Sequence, residues 1–404
     1  MNDTDRTTLR YLFLTFLKIG STSWGGFMAL ISVVQKRVVE KDQKIENESL
    51  LEGISLASVL PGPVAFNVVT FIGFRLRGIK GALVSMAGIL LPSFLLMLLL
   101  SFLYIKYGDI PSFTHFFAGV LPAVAAVIIS VAITMAKKNI TDATQTFIAV
   151  AAAIIIVLSK SFGTTLIVML ASGIAGYLIY HKPSPVIQKE SIERDNLVRS
   201  PKNFLIFLSL LAILTMAILI FPVIIPQEFE TSALLHQKIM ITLSGMSLCL
   251  FGGGYVVIPA MQQVIVNSMH WLTNKEFTDA IAMGQITPGP ILISAAFIGY
   301  KLAGFWGALN ATIAIFLPAG LVMIGCTHYF GKIRNSAIVL AVFKGLRPAI
   351  IGMIAAAAFT MLAHGDISYK TGLLLCIFLI LAIKYKADPV FLIPGAGIIG
   401  FLIF

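Results

Sequence analysis

The sequence predicts an all-α polytopic membrane protein in which one hydrophobic unit of six segments occurs twice. Three observations support this: 58% of the 404 residues are hydrophobic and only 12% are charged, the mean hydropathy is +0.95, and a set of motifs recurs at a nearly constant spacing. Soluble domains carry about 25% charged residues, so this chain is too poor in charge to cover a water-facing surface. A span needs about 20 apolar residues, and we expect about 13 membrane segments.

The internal repeat defines the predicted domain organisation. Three motifs of the first half return in the second half in the same order: Trp24-Gly25-Gly26 as Phe251-Gly252-Gly253, Pro61-Gly62-Pro63 as Pro288-Gly289-Pro290, and Phe71-Ile72-Gly73 as Phe297-Ile298-Gly299. Two-fold repeats of this size are typical of secondary transporters. We predict an N-terminal repeat at 1–180, a polar linker with a connecting transmembrane helix at 181–236, and a C-terminal repeat at 237–404.

The connecting helix determines the predicted orientation of the two repeats. The apolar segment 203–225 has no counterpart in either repeat, and one odd crossing between two six-segment units would invert the second. Lys and Arg in short loops favour the cytoplasmic side, and their distribution places the N-terminus there. We therefore predict inverted repeats in a multi-pass protein of the inner (plasma) membrane, with a cytoplasmic N-terminus.

The Pro-Gly-Pro motifs predict broken helices at membrane depth. Proline lacks an N–H group, Gly62 and Gly289 accept conformations that other residues avoid, and Pro63 and Pro290 suit the first position of a new helix. Freed backbone groups must face protein or a water-filled cavity, and helix N-termini attract anions. A simple proline kink is the alternative, but the recurrence at equivalent positions favours a substrate site.

Several small polar residues lie beside these breaks. Asn67 and Thr70 follow the first break, Ser294 is the counterpart of Asn67, and Gln285 and Thr287 precede the second break. These side chains either contact substrate or only bond neighbouring helices. The Gly-Gly motifs add further candidates, because their glycines permit either close packing or unwinding of a helix: Gly25, Gly26, Gly252 and Gly253.

Intramembrane charges are the remaining site candidates. Lys18, Lys344 and Arg347 lie inside apolar segments and would supply positive potential to an anion site, unless they snorkel or pair with acids. Glu52 corresponds to Asp279. Our first interpretation of these two carboxyls is interfacial charge, and a proton-coupling role is the alternative.

Other functional classes lack support in the sequence. There is no Walker A motif, HExxH motif or Ser-His-Asp arrangement, and Cys249, Cys326 and Cys376 lie in apolar stretches without CxxC spacing. We therefore expect no enzyme activity, cofactor or metal. The net charge of +11 resides mostly in short loops, so nucleic acid is not an expected partner. The expected partners are a small anion and the lipid bilayer, and a homodimer remains an open expectation.

At these motifs the chain resembles the chromate ion transporter family in its fused, two-domain form. The resemblance rests on Ser23-Trp24-Gly25-Gly26, on both Pro-Gly-Pro motifs and on Gly345-Leu346-Arg347-Pro348-Ala349. It implies an inner-membrane transporter of chromate, an oxyanion shaped like sulfate, with antiparallel halves and with efflux conferring resistance in some members. Val64, Phe66 and Asn67 stand where many chromate-resistance members carry Glu and Gln.

These observations together predict a secondary transporter of a small inorganic oxyanion, acting by efflux or exchange. The anion would lie between Asn67, Thr70, Ser294 and the backbone N–H groups of the broken helices. A channel or exporter for a neutral or amino-acid-like solute is the alternative function, and a non-transporting scaffold would leave the duplicated breaks unexplained.

Overall fold

The computed structural model describes residues 7–23, 26–107, 111–159, 162–181, 232–249, 257–327, 337–363, 368–387 and 389–403. Their regular structure is helical. The helices of the first half are α1 (Leu9–Thr22), α2 (Gly26–Val34), α3 (Asn47–Ala57), α4 (Val64–Tyr107), α5 (Pro111–Asn139), α6 (Ala143–Leu158) and α7 (Phe162–Tyr180). Those of the second half are α8 (Ser232–Cys249), α9 (Val257–Met261), α10 (Asn274–Ile286), α11 (Ser294–Thr327), α12 (Ala337–Ala363), α13 (Tyr369–Ile383) and α14 (Pro389–Ile403).

Short irregular turns complete these helices at matching places. A π-helical turn follows α2 at Gln35–Lys41, and another follows α9 at Gln262–Ser268. The side chain of Gln35 donates to Asn47, and that of Gln262 donates to Asn274. The same irregular element with the same side-chain bond therefore occurs in both halves.

The apolar character of the long helices confirms the prediction of a polytopic membrane protein. Four stretches of the described residues are long and apolar enough to span a membrane: Val64–Tyr107, His115–Asn139, Ile291–Thr327 and Leu340–Thr360. Four shorter apolar helices lie at Ala143–Leu158, Ile167–Tyr180, Tyr369–Ile383 and Phe391–Ile403. The predicted connecting helix at 203–225 lies outside the described residues, so the count of 13 segments stays a prediction.

Helix α4 is a hairpin of two arms. Its direction changes at Arg77 and Gly78, where Gly78 takes φ +59°. Gly73 and Gly81 would lie about 12 Å apart along a straight helix. Here a Cβ atom on Gly73 would lie 2.5 Å from the carbonyl oxygen of Gly81, so the two arms contact each other where neither residue has a side chain.

Helix α11 repeats this hairpin. Its non-helical residues are Ala303 and Gly304, with φ −146° and +61°, close to the −145° and +59° of Arg77 and Gly78. Gly299 and Gly307 meet backbone to backbone in the same way. The two hairpins pack against each other.

The hairpin arms that follow the turns run antiparallel. A Cβ atom on Gly320 would lie 2.5 Å from Cε of Met86. Further along α4, the Phe94 ring lies 6.4 Å from that of Phe305. The contact position on α11 therefore moves back toward its N-terminus as the chain advances along α4.

The last two helices of each half pack on the other half. Helices α13 and α14 contact α5, and helices α6 and α7 contact α12. Helices α5 and α12 also contact each other. The two halves are therefore interlocked rather than laid side by side.

Glycines permit the close approach at these exchanged contacts. On α5, a Cβ atom on Gly119 would lie 2.5 Å from Cα of Gly400 on α14. On α12, Gly345 meets Gly176 and the carbonyl of Ser172 on α7. Small residues at helix interfaces are the usual device for close packing in membranes. Gly345 belongs to the Gly345-Leu346-Arg347-Pro348 motif, so packing explains at least this member of the motif.

We predict that Gly345→Ala and Gly119→Ala each destabilise the fold. In both cases the new methyl group overlaps backbone atoms of the partner helix, and overpacking of this kind costs about 1–3 kcal/mol. The melting temperature of the detergent-solubilised protein checks this prediction. Gly372→Ala on α13 is the matched control, because its Cβ meets nothing within 4 Å and alanine favours a helix. Equal melting of all three variants would contradict the interlocked packing.

Candidate functional site

The first Pro-Gly-Pro motif is a true interruption between two helices. Helix α3 ends at Ala57 and α4 begins at Val64, with Gly62 at φ +97° between them. A Cβ atom on Gly62 would overlap that of Ala319 on α11. The first break therefore packs directly against the hairpin of the second half.

The second motif has the reciprocal arrangement. Helix α10 ends at Ile286 and Gly289 takes φ +112°. The nearest atom to a Cβ on Gly289 would be Oγ of Ser93 on α4, at 3.3 Å. The N–H group of Gly289 donates to the carbonyl oxygen of Ser23 at 3.3 Å. The predicted helix break is thus present at both motifs, and each break lies against the other half.

Asn67 stabilises the first break. Its Nδ2 donates to the carbonyl oxygen of Pro61 at 2.8 Å, while its Oδ1 is buried without a hydrogen-bond partner. The hydroxyl of Thr70 donates to the carbonyl oxygen of Phe66 at 2.9 Å. Both side chains are fully buried, so the structure brings these two predicted residues together in an enclosed position.

Two buried hydroxyl groups beside the breaks have no hydrogen-bond partner. One belongs to Ser294, which lies against Gly284 of α10, and the other to Ser23 at the end of α1. A hydroxyl group can donate to an oxyanion, so both could contribute to anion binding. Ser23 was not among the site residues predicted from the sequence, although its position directly before Trp24-Gly25-Gly26 was a usable signal.

The remaining neutral candidates have mixed outcomes. Gln285 and Thr287 are buried just before the second break, and the Thr287 hydroxyl donates to the carbonyl of Gly284 at 3.0 Å. Gly26 begins helix α2, after the interruption that follows Thr22. The other glycines of the two Gly-Gly motifs, Gly25, Gly252 and Gly253, lie outside the described residues.

Lys18 lines a groove on the surface of α1. The groove has a volume of about 360 Å³, and its other cation is Arg37. Arg37 pairs with Asp42 at 3.0 Å, and the Tyr11 hydroxyl also donates to Asp42. In the described part of the chain, Lys18 makes no ion pair, so its charge is available to an anion.

Lys344 and Arg347 lie on the exposed face of α12. The Lys344 amine lies 5.4 Å from the ring centre of Tyr180, and the Arg347 guanidinium 5.8 Å from that of Phe343. The Tyr180 hydroxyl donates to Asp142 at 2.8 Å. The contacts of Lys344 lie near the start of α6 and the end of α7. None of these contacts involves a Pro-Gly-Pro motif.

Asp142, which caps α6, is the carboxyl that Lys344 faces. The backbone N–H of Gln145 and the Tyr180 hydroxyl donate to it and hold the pKa of this carboxyl below its usual range. The charge of Lys344 acts in the same direction. Lys344 thus has a carboxylate near it at the surface.

The two corresponding carboxyls, Glu52 and Asp279, have different environments. Glu52 forms a partly exposed ion pair with Arg75 at 2.9 Å, as expected of interfacial charge. Asp279 is 3% exposed, and the Tyr104 hydroxyl donates to it at 2.7 Å. Lys301, the counterpart of Arg75, pairs with Glu276 instead.

Comparisons with known proteins agree on one family. The chromate transporter family model matches residues 10–177 and 237–401. A chromate transport protein of Cupriavidus metallidurans is 29% identical over 396 residues, covering 97% of this chain and 92% of that protein. An uncharacterized transporter of Methanocaldococcus jannaschii is 29% identical over 393 residues, covering 97% of this chain and 94% of that protein.

A shorter relative matches only part of the chain. An uncharacterized transporter of Bacillus subtilis is 31% identical over 157 residues, which are 38% of this chain and 88% of that protein. No solved structure matches this chain.

We predict that Gly62→Ala destabilises the protein more than Gly289→Ala. Both substitutions place a side chain at positive φ, which costs about 1–2 kcal/mol, but only Gly62→Ala also overlaps Ala319. The double variant Gly62→Ala/Ala319→Gly should regain the steric part of the loss and keep the backbone strain. The double-mutant cycle compares the thermal unfolding of the unmodified protein, Gly62→Ala, Ala319→Gly and the double variant. Strict additivity of the two substitutions would show that the first break does not pack on α11.

Proposed function

Because this chain belongs to the chromate transporter family, we propose that it is a secondary transporter carrying a small tetrahedral oxyanion, chromate or a sulfate-like anion, by efflux or exchange across the plasma membrane. One observation carries the proposal beyond the family. The two broken helices lie against opposite halves, and buried hydroxyl groups without partners lie beside them. Such helix ends with free donors are suited to an anionic group.

The proposed architecture is a pair of inverted repeats with about 13 membrane segments. The twofold match to the family model supports the repeat. The antiparallel arms of α4 and α11 support the inversion, because equivalent helices that run in opposite directions follow from a two-fold axis in the membrane plane. An odd crossing within 181–236 then connects the repeats, with the N-terminus in the cytoplasm.

The proposed binding site lies between the two breaks. Asn67, Thr70 and Ser294 border the anion, and Ser23 adds a hydroxyl from α1. The first-turn N–H groups of α4 have no partner within the helix and would donate to the anion. Gly62 and Pro63 would keep the chain non-helical before α4, and Gly289 and Pro290 would do so before α11, which leaves the helix N-termini free to bind the anion.

Access to this site requires a conformational change. Asn67, Thr70 and Ser294 are each 0% exposed, which fits an occluded state of a transporter that opens alternately to the two sides. Gly25, Gly26, Gly252 and Gly253 remain predicted site residues of the two Gly-Gly motifs.

Cations outside the space between the two Pro-Gly-Pro breaks would attract the anion. Lys18 lines the groove on α1, while Lys344 and Arg347 provide positive potential on the exposed face of α12. Moving one charge through 100 mV changes its energy by about 2.3 kcal/mol. A dianion therefore gains about twice that amount on leaving an inside-negative cell, so the potential alone can drive efflux.

One observation favours the second candidate function, a channel or exporter for a neutral or amino-acid-like solute. Such a protein needs no free cations along its path, and Lys344 lies close enough to Asp142 to act on it electrostatically. Lys18, in contrast, makes no ion pair within the described residues, which is why we give the anion priority.

We predict that purified protein in proteoliposomes transports chromate or sulfate at a rate that depends on the membrane potential. Ser23→Ala and Ser294→Ala should each raise KM about tenfold or more, because a hydrogen bond to a charged group contributes about 1.5–3 kcal/mol. The measurement is uptake of radiolabelled anion at two clamped potentials.

Ser172→Ala on α7 provides the control for these variants. Its hydroxyl is also buried, but it already donates to the carbonyl of Val168 at 2.7 Å. Its transport should equal that of the unmodified protein. If a folded protein moves neither anion, or if all three serine variants behave alike, the oxyanion site as drawn is wrong.

A further inference from the structure

A buried carboxyl lies on α10, the helix that precedes the second break. Asp279 is 3% exposed, and the Tyr104 hydroxyl, at 2.7 Å, is its side-chain hydrogen-bond donor. Among the described residues, no Lys or Arg forms an ion pair with it. A buried charge without an ion-pair partner is costly. Protonation to the neutral acid removes this cost.

The elements around Asp279 contribute few charges. On its own helix, Lys275 and Glu276 act on it through space, and Glu276 is held by Lys301 of α11. From α4 comes Tyr104, whose ring also packs edge-on against Phe117 of α5, at 5.4 Å. Helix α14, which contacts α10, has no titratable residue, and α5 has His115 two positions before Phe117.

This carboxyl is connected to the proposed anion site by direct contacts. The Tyr104 ring lies edge-on to Phe297 at 5.2 Å, and Phe297 is one helical turn after Ser294 on α11. On α10, Gly284 contacts Ser294 and lies between Asp279 and the second break. A change in the charge of Asp279 can therefore act on the helix that carries Ser294.

The corresponding carboxyl of the first half is not buried. Glu52, the counterpart of Asp279, is partly exposed and paired with Arg75. A partly exposed ion pair keeps its charge during a transport cycle, whereas a buried carboxyl that has no ion pair among the described residues need not. The two halves thus differ in the burial of this carboxyl, which is the property that the proposed proton binding requires.

We propose that Asp279, with Tyr104 as its hydrogen-bond donor, is a proton-binding site and that one proton travels with each anion. This inference rests on the proposed function. A proton from water binds a carboxylate oxygen of Asp279 and gives a neutral acid. The negative charge of a bound anion favours this neutral acid, and by linkage the neutral acid binds the anion more tightly. Proton and anion then leave on the opposite side, so a dianion carries one net negative charge per cycle.

The test measures proton and charge movement together with anion flux. Proteoliposomes containing a pH-sensitive dye receive chromate and, separately, sulfate at clamped potential. We expect one proton to enter per anion. Asp279→Asn keeps an oxygen that can accept from Tyr104 but cannot bind the proton. It should lose proton uptake, retain anion flux driven by the potential, and double the charge moved per anion.

Two further variants separate proton binding from a structural role. Tyr104→Phe keeps both ring contacts and removes the donor to the carboxylate. The pH at which proton-coupled flux is half-maximal should then shift by about one unit to the alkaline side, since hydrogen bonds to the charged form are lost. Glu52→Gln at the corresponding position of the first half should leave the proton count unchanged.

The outcomes distinguish this inference from the proposed function. Anion flux without proton uptake in the unmodified protein, or equal proton uptake in Asp279→Asn, overturns the proton site. Absence of flux for both anions overturns the oxyanion proposal instead. In that case infrared titration of the purified protein still decides the proton site. A carboxylic acid band that Asp279→Asn removes supports it, and identical spectra overturn it.

Discussion

The packing of each Pro-Gly-Pro break against the other half is the constraint on which the rest of the structure depends. A helix that stops inside a membrane frees backbone groups that lipid cannot satisfy. Here the carbonyl of Pro61 receives the Asn67 amide, and the N–H of Gly289 reaches the carbonyl of Ser23. The breaks can exist only where protein surrounds them, so the hairpins α4 and α11 must face each other.

The proposed function depends on small differences between two similar halves. The same hairpin turn, π-helical turn and Pro-Gly-Pro break occur twice, and they form the frame. The side chains within that frame differ: Asn67 corresponds to Ser294, and exposed Glu52 to buried Asp279. A strictly symmetric site would offer the same groups to both sides of the membrane. In the proposed site, the first half contributes the unpartnered hydroxyl of Ser23 and the second half that of Ser294, whereas of the two corresponding carboxyls only Asp279 is buried.

The sequence predicted the backbone features better than the positions of the side chains. Proline constrains φ and glycine permits positive φ, both locally, so the breaks at Gly62 and Gly289 could be predicted from a few residues. The outward position of Lys344 and Arg347 could not, because a spacing of three places two residues on one helix face without indicating which face is buried. Nor could sequence distinguish Glu52 from Asp279. Burial depends on which helices pack over a side chain in the folded protein, which the neighbouring residues in the sequence do not specify.

Interlocking of the halves also constrains how such a gene can evolve. Helices α6 and α7 complete the surroundings of α12, and α13 and α14 complete those of α5. A protein cut within 181–236 would therefore yield two fragments, each lacking neighbours that only the other can provide. Separate genes for the two halves would have to be expressed in equal amounts. Fusion into one reading frame fixes this stoichiometry.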